Sequence, residues 1–218
     1  MSVAEARKRN PEATRNSILD AAEALFVAKG FAAASLSDIA RRASVTKSLI
    51  HHHFGSKEAL WDQCKKRRMS HYADVQRSLL DKPDEADDLL SQSITSFFHF
   101  LNQNPEFVRL NVWMTLEDPR LSEATHPELF SLGAERMIEE QKRGTLRSDV
   151  PAQHMLSMFI SLCMYWHMAR DTGLAHLVGD SDNPDEEYLQ SLLKIFFDGV
   201  RERGDIADSE ESEQESVG

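Results

Sequence analysis

The sequence is poor in cysteine, with only Cys64 and Cys163 in 218 residues. Two thiols so far apart in the chain do not make the disulfide framework that stabilises small secreted domains. The first thirty residues carry no apolar run behind their basic cluster, so we expect no signal peptide. A reducing compartment, the cytoplasm, is therefore the expected setting.

Long hydrophobic runs are also missing. The most apolar stretch, residues 155–169, is interrupted by Ser157, Ser161 and His167. It is shorter than the roughly 20 apolar residues that cross a bilayer. The stretch predicts a buried helix covered on two faces, and we expect no membrane partner.

Sequence signatures of catalysis are absent too. The chain has no nucleophile elbow, no glycine-rich phosphate loop and no metal-ligand spacing, so we expect neither an enzyme nor a cofactor. His51, His52 and His53 follow one another, but successive side chains on a helix point about 100° apart and cannot converge on one ion. The methionine, cysteine and histidine side chains of residues 154–167 are better explained as core filler. We therefore expect no metal site.

Charge is plentiful but unevenly distributed. The net charge is −11, from 25 Lys and Arg against 36 Asp and Glu. Residues 1–70 nevertheless have a net charge of +6, and residues 71–218 one of −17. A basic front end on an acidic body is typical of a protein that binds a polyanion through one end. The basic run 65–68 is interpreted as an exposed face of a helix.

Apolar residues recur with the helical period along most of the chain, and nothing alternates with period two over a useful length. The first predicted helix runs from about Ile18 to a stop at Gly30. Eight more are predicted over residues 36–43, 47–53, 57–81, 90–101, 106–117, 128–143, 152–169 and 185–201. The pattern therefore predicts an all-α protein with about nine helices and no sheet.

Two of the short predicted helices are joined by a tight turn. Ser35 and Asp38 fit a capping box, in which the Ser35 hydroxyl accepts the Asp38 amide, and Thr46 and Ser56 are expected to cap the next two helices. These dimensions are typical of a helix-turn-helix motif. The second helix begins with small polar and basic side chains of the kind that reach base edges and phosphates: Thr46, Lys47, Ser48, His51 and His52.

Spaced residues between about 12 and 72 form one pattern: Thr14-Arg15, Ile18-Leu19, Ala21-Ala22, Leu25-Phe26, Gly30-Phe31, Ser35, Ile39-Ala40, Ala43, Val45, His51-His52-His53-Phe54 and Ser56-Lys57-Glu58-Ala59-Leu60. Together they resemble the N-terminal domain of the TetR (tetracycline-repressor-like) transcriptional regulators. The resemblance implies an all-helical homodimer. Three helices of each chain would bind DNA, and a fourth would link them to a C-terminal domain.

The resemblance also implies a division of the chain. Residues 12–72 would form the DNA-binding domain, with the helix-turn-helix motif at 35–54, and residues 73–203 the effector-binding and dimerisation domain. The tail, residues 204–218, has six acidic residues, no basic residue and no aromatic one, so we expect it to be disordered.

DNA contacts follow from the resemblance at the positions that match the family's motif. They are phosphate contacts from Ser35, Ser37 and Lys57, base and backbone contacts from Thr46, Lys47 and Ser48, and contacts in place of a frequent tyrosine pair from His51 and His52.

Two positions depart from the family pattern. Ser44 stands where the turn usually has glycine before valine, which costs about 1 kcal/mol if the position needs a positive φ. His51 and His52 replace aromatic residues and add groups that titrate near pH 6.5, so we expect DNA affinity to rise as the pH falls.

The C-terminal part is rich in large, deformable apolar side chains, which favours a hydrophobic or aromatic small-molecule effector. Candidate pocket residues are Phe97, Phe98, Trp113, Met114, Met137, Met158, Tyr165 and Trp166, with His99 and Arg109 as polar fixing points. The spacing does not say which of them line a cavity and which are core.

The predicted helices 152–169 and 185–201 would expose a large apolar patch on a lone chain, and such patches mark interfaces. Pairing about a two-fold axis would give a four-helix bundle. The expected interface residues are Met155, Phe159, Leu162, Trp166, Leu189, Leu192, Leu193, Phe196 and Val200. Such a homodimer presents two recognition helices to a palindromic operator in double-stranded DNA.

These observations predict a dimeric, sequence-specific transcriptional regulator, by family habit a repressor, that a small ligand releases from its operator. The alternative is an interaction protein on the same fold that binds DNA nonspecifically. Selection of a short palindrome favours the first, and a salt-dependent affinity indifferent to sequence favours the second.

Overall fold

The structure, a computed structural model, describes residues 10–80, 86–117, 127–178 and 181–201. The basic residues 7–9 and the predicted disordered tail, residues 204–218, lie outside these ranges. The described residues form ten helices and no strand: α1 (Pro11–Ala33), α2 (Leu36–Arg42), α3 (Lys47–Phe54), α4 (Lys57–Leu80), α5 (Ala86–Gln103), α6 (Pro105–Leu116), α7 (Pro127–Arg143), α8 (Ala152–Ala169), α9 (Ala175–Val178) and α10 (Pro184–Val200).

The predicted all-α class is confirmed, and the largest differences in detail concern α1 and α9. Helix α1 begins seven residues before Ile18, because the side chain of Asn10 accepts the Glu12 backbone N–H at 3.1 Å and Pro11 occupies the first turn. Helix α9 has four residues, too few to leave a periodic pattern in the sequence.

The chain divides into two compact units. The first comprises residues 1–74 and 101–127, and the second residues 75–100 and 128–218. Helix α6 therefore belongs with the N-terminal helices, whereas the predicted division placed it in the C-terminal domain. The reason is that Leu110 and Met114 of α6 are buried in the N-terminal core. The helical spacing of these two residues would be the same in either core, so the sequence does not show which core α6 joins.

The core of the first unit fixes the three N-terminal helices to α4. Phe26 of α1 meets Trp61 of α4 edge to face, with ring centroids 4.8 Å apart. Ile39 of α2, together with Ile50 and Phe54 of α3, is buried in the same cluster. Helix α3 therefore has one face anchored, and its other face is left to solvent.

The second unit has an aromatic core between α5, α8 and α10. Phe159 of α8 lies edge to face with both Phe97 and Phe196. Trp166 stacks on Tyr188 at 4.0 Å, and its indole N–H donates to Asp185 at 2.9 Å. These contacts cover one face of α8.

The other face of α8 is exposed, so the chain itself covers one of the two apolar faces that the sequence predicted for this helix. Its uncovered apolar side chains are Met158, Leu162, Tyr165 and Met168. Within the described residues, no helix is long and apolar enough to span a membrane.

Candidate DNA-binding site

Helix α2 begins with the capping box that the sequence predicted. The Ser35 hydroxyl accepts the Asp38 backbone N–H at 3.0 Å and donates its proton to the Asp38 carboxylate at 2.8 Å. This side-chain bond is the main cause that lowers the pKa of Asp38. Ser35 thus acts as a cap in this structure, while Ser37 is exposed on the first turn.

The turn between α2 and α3 has a left-handed residue. Ser44 has a φ of +54°, and the backbone N–H groups of Ser44 and Val45 donate to the carbonyls of Arg41 and Ala40 at 3.3 and 3.0 Å. This is the Schellman arrangement that ends many helices, with serine at the position usually held by glycine. The position therefore does need the positive φ considered from the sequence.

Helix α3 presents the predicted recognition residues to solvent. Thr46 caps it by accepting the Leu49 backbone N–H at 3.3 Å, and its hydroxyl lies 3.0 Å from that of Ser48. Ile50 and Phe54 hold the opposite face in the core. The spacing therefore leaves one exposed polar surface, the recognition face: Thr46, Lys47, Ser48, His51 and His52.

The ring of His51 is oriented by the turn that follows α3. Its Nδ1 lies 2.9 Å from the carbonyl oxygen of Gly55. Because a carbonyl only accepts, Nδ1 carries the proton, and Nε2 is the ring atom that can meet an outside partner. In the described residues no group of three or more His, Cys, Asp or Glu side chains is arranged to hold a metal ion.

Lys57 lies at the start of α4 but does not point freely into solvent. Its ammonium stacks 4.3 Å from the ring centroid of Phe31 and donates to the carbonyl of Ala32 at 3.4 Å. Burial is the main cause that lowers the pKa of Lys57, against the opposing effect of Glu117 and Glu58. A phosphate contact by Lys57 would require its ammonium to leave the end of α1.

Within the basic run 65–68, Lys66 is exposed as expected, but Arg67 and Arg68 join α4 to α1. The Glu23 carboxylate, buried on α1, accepts Arg67 at 2.5 Å and is also bonded by Arg68. Asp20 pairs with Arg67 at 2.8 Å. No local sequence pattern signals this cluster, because its partners lie more than forty residues apart in the chain.

The ten residues predicted to line an effector pocket are not brought together. Three lie on α6 in the first unit: Arg109, Trp113 and Met114. Three are exposed in the second unit: His99, Met158 and Tyr165. Four are buried in the second unit: Phe97, Phe98, Met137 and Trp166. Of these, Met137 lines a small internal cavity.

The residues predicted for a dimer interface mostly serve the core of their own chain. Leu162 is exposed and Leu193 is half-buried. The others are buried within the chain: Met155, Phe159, Trp166, Leu189, Leu192, Phe196 and Val200. Helical period alone does not separate the inward from the outward face of α8, because both faces are apolar.

Capped helices joined by a tight turn, with a basic and polar second helix held out to solvent, define a helix-turn-helix DNA-binding protein. The sequence model for bacterial regulatory proteins of the tetR family matches residues 18–64, and that for the tetracyclin repressor-like C-terminal domain matches residues 90–190. The chain belongs to the TetR family. It is a DNA-binding transcriptional regulator and not an enzyme.

Two relatives of similar length are transcriptional repressors with a helix-turn-helix. The HTH-type transcriptional repressor SCO4008 of Streptomyces coelicolor is 26% identical over 189 residues, which cover 85% of this chain and 94% of the repressor. The HTH-type transcriptional repressor NicS of Pseudomonas putida is 24% identical over 206 residues, 89% of this chain and 96% of NicS. A crystal structure of a TetR family transcription regulator from Marinobacter aquaeolei has the same fold, with a TM-score of 0.69 at 16% identity, over 88% of this chain and 97% of that one.

Proposed function

We propose that the protein is a homodimeric repressor that binds a palindromic operator and leaves it when a small apolar molecule binds the second unit. The recognition face of α3 is the observation that carries the proposal. It combines a cation, two hydroxyls and two imidazoles on one solvent-exposed surface, backed by a rigid apolar core.

Residues of the recognition face have distinct roles in this proposal. Thr46, Lys47 and Ser48 lie at the N-terminal end of α3, which is the end that reaches base edges in helix-turn-helix proteins. His51 and His52 contact phosphate or bases one turn later. Ser37 contacts phosphate beside them, Lys57 does so once its ammonium has left the carbonyl of Ala32, and Ser35 holds the start of α2 in place.

Dimerisation is proposed through the uncovered faces of α8 and α10. Besides the apolar side chains of α8, Ile195 of α10 is 73% exposed, and a groove of about 690 Å³ lies between the two helices. Such a surface on a lone chain marks an interface. Two recognition helices related by a two-fold axis then match two half-sites of an operator.

Sedimentation of the purified protein tests the dimer. Leu162→Asp, on the uncovered face of α8, should convert a dimer into monomers. Leu177→Asp, at an exposed leucine outside the two helices, is the matched control and should leave the dimer intact. A parent protein that sediments as a monomer contradicts the proposal.

Release is proposed as a shift between two states of the dimer. An effector that prefers a state whose recognition helices do not fit successive major grooves draws the protein from its operator. A difference of about 3 kcal/mol in effector affinity between the states lowers operator binding by more than a hundredfold.

We place this function in the cytoplasm, where both buried cysteines stay reduced. Burial raises the pKa of Cys64 and Cys163 to about 12.

Selection from a pool of random duplexes separates this function from the alternative, a nonspecific DNA-binding interaction protein. A repressor should enrich one short palindrome. The alternative predicts binding that weakens with salt but enriches no sequence. Lys57→Ala should weaken binding to all duplexes alike.

A further inference from the structure

The guanidinium of Arg136 on α7 is an unusual group in the second unit. Its side chain is 13% exposed. Nη1 donates to Glu139 at 3.2 Å, but Nε and Nη2 are buried and have no hydrogen-bond acceptor among the described residues. A buried donor left without an acceptor costs free energy, so such groups usually have a bound water or ligand as partner.

Glu140 does not satisfy this guanidinium. Its Oε1 is 3.7 Å from Nη2, which is beyond hydrogen-bond length. The Glu140 carboxylate is instead bonded to Arg143 at 3.0 Å and to the Thr145 hydroxyl at 2.7 Å. Nε and Nη2 form one edge of the arginine fork, the pair of donors that takes both oxygens of a carboxylate.

Arg136 lines a narrow cavity whose surface is mostly apolar. The cavity has a volume of about 30 Å³ and is lined by α4, α5, α7 and α8, with Leu80, Leu89, Met137 and Phe159 among its apolar walls. A space of this size holds a water but no larger ligand. A ligand reaches Arg136 only if a wall of the cavity moves.

Leu156 of α8 is that wall. It lines the internal cavity on one side and a groove of about 590 Å³ between α7 and α8 on the other. Its Cδ1 lies 3.4 Å from where a Cβ of Gly133 would be, so the missing side chain of Gly133 leaves Leu156 room at the boundary. One leucine side chain therefore separates an outer apolar groove from a buried arginine.

The two spaces suit the two ends of one molecule. Phe130, Ile138 and Ile160 give the groove its apolar surface, and the groove has the volume of a small-molecule site. Glu135 lines the groove and Glu140 lines the cavity, so each repels a carboxylate, but in the cavity the unpaired donors Nε and Nη2 of Arg136 offset that repulsion. The apolar end of a ligand therefore belongs in the groove and its acidic end on Arg136.

We propose that the second unit binds an aliphatic carboxylate, with its chain in the α7–α8 groove and its carboxylate on Nε and Nη2 of Arg136, after Leu156 turns aside. This inference names the chemical class of the effector. Its role in regulation rests on the release function proposed above. The binding itself requires no DNA and is tested without it.

The site is tested by titration calorimetry of the full-length protein with dodecanoate and with 1-dodecanol. Both ligands are kept below the concentrations at which they aggregate. The parent should bind one dodecanoate per chain, about tenfold or more tightly than dodecanol. Arg136→Met should lose this preference, whereas Lys142→Met, which removes an exposed cation of the same helix, should keep it. Equal affinity of the parent for the two ligands, or an unchanged preference in Arg136→Met, overturns the proposal.

Leu156 supplies a second test that does not depend on the arginine variant folding. Leu156→Ala should bind dodecanoate more tightly and Leu156→Phe more weakly than the parent; no change in either overturns the gate. The proposal of a carboxylate site and the proposal of a repressor can be contradicted independently of each other. Dodecanoate binding without loss of operator affinity contradicts release, and selective operator binding without dodecanoate binding contradicts the carboxylate site alone.

Discussion

The carboxylate of Glu117 lies against the backbone N–H of Ala32, with its two oxygens at 3.2 and 3.1 Å from the nitrogen. Glu117 follows α6 directly, and Ala32 lies in the last turn of α1. The Trp113 indole of α6 donates to the carbonyl of Val27 at 3.3 Å. These bonds tie α6 to the end of α1, the helix that supplies Phe26 to the core behind the recognition face.

The tie requires glycine at residue 30. Gly30 has a φ of +79°, and a Cβ there would lie 2.4 Å from Glu117 Oε1 and 2.8 Å from the ring of Trp113. Gly30→Ala should therefore lower the free energy of unfolding by more than about 2 kcal/mol, because backbone strain and a steric clash add. Urea unfolding followed by circular dichroism measures the loss.

Gly55 provides the matched control for that measurement. Its φ is +77°, but nothing lies within 4 Å of a Cβ built on it. Gly55→Ala should show the backbone cost alone, about 1 kcal/mol. Equal losses of unfolding free energy in the two variants would mean that α6 can shift away from residue 30 at no cost in stability. The bonds between α1 and α6 would then contribute little.

Ser44 offers a stabilising substitution. Its left-handed backbone, at a φ of +54°, is strained for serine and not for glycine. Ser44→Gly should raise the free energy of unfolding by about 1 kcal/mol, and Ser44→Val should lower it. Ser48→Gly, within α3, should be destabilising, so a general benefit of glycine in this motif would contradict the explanation.

Local features of the fold could be predicted from the sequence, and long-range ones could not. The caps at Ser35, Thr46 and Ser56 depend on hydrogen bonds to residues three positions away, so the sequence pattern contains both partners. By contrast, the packing of α6 in the first unit and the partners of Lys57 depend on contacts between residues far apart in the chain. Nor does helical period distinguish the inner from the outer face of α8, since both are apolar.

Glu23 joins α1 to α4 through a buried ion cluster with Arg67 and Arg68. Glu23→Gln should lower the free energy of unfolding by about 3 kcal/mol, because it leaves two guanidinium groups without their shared carboxylate. Asp20→Asn removes an exposed partner of Arg67 and should cost less than about 1 kcal/mol. Comparable losses in thermal or urea unfolding would show that the burial of Glu23 has no energetic importance.

His167 makes the second unit sensitive to acid. Its Nδ1 donates to the Cys163 carbonyl at 2.8 Å. Burial is the main cause that lowers its pKa below the ordinary 6.5; Arg170 and His99 lower it further, and the Cys163 bond and Asp185 oppose them. The unfolded chain therefore takes up this proton more readily, so the stabilisation is present above about pH 6.5 and is lost as the pH falls.

Unfolding free energies between about pH 7 and 5 measure this effect. The decrease toward low pH should be smaller in His167→Gln than in the parent. His154→Gln, at an exposed histidine of the same helix, should leave the decrease unchanged. A decrease of the same size in all three proteins would assign it to other groups.

Competition between a selected palindromic duplex and its scrambled version, at one fixed salt concentration, tests most directly whether the recognition face reads DNA sequence. The parent should prefer the palindrome by about a thousandfold or more. Lys47→Ala should reduce that preference by about tenfold or more, whereas Lys142→Ala, far along the chain on α7, should not. Equal affinity of the parent for the two duplexes, or an unchanged preference in Lys47→Ala, would contradict the assignment of the recognition face.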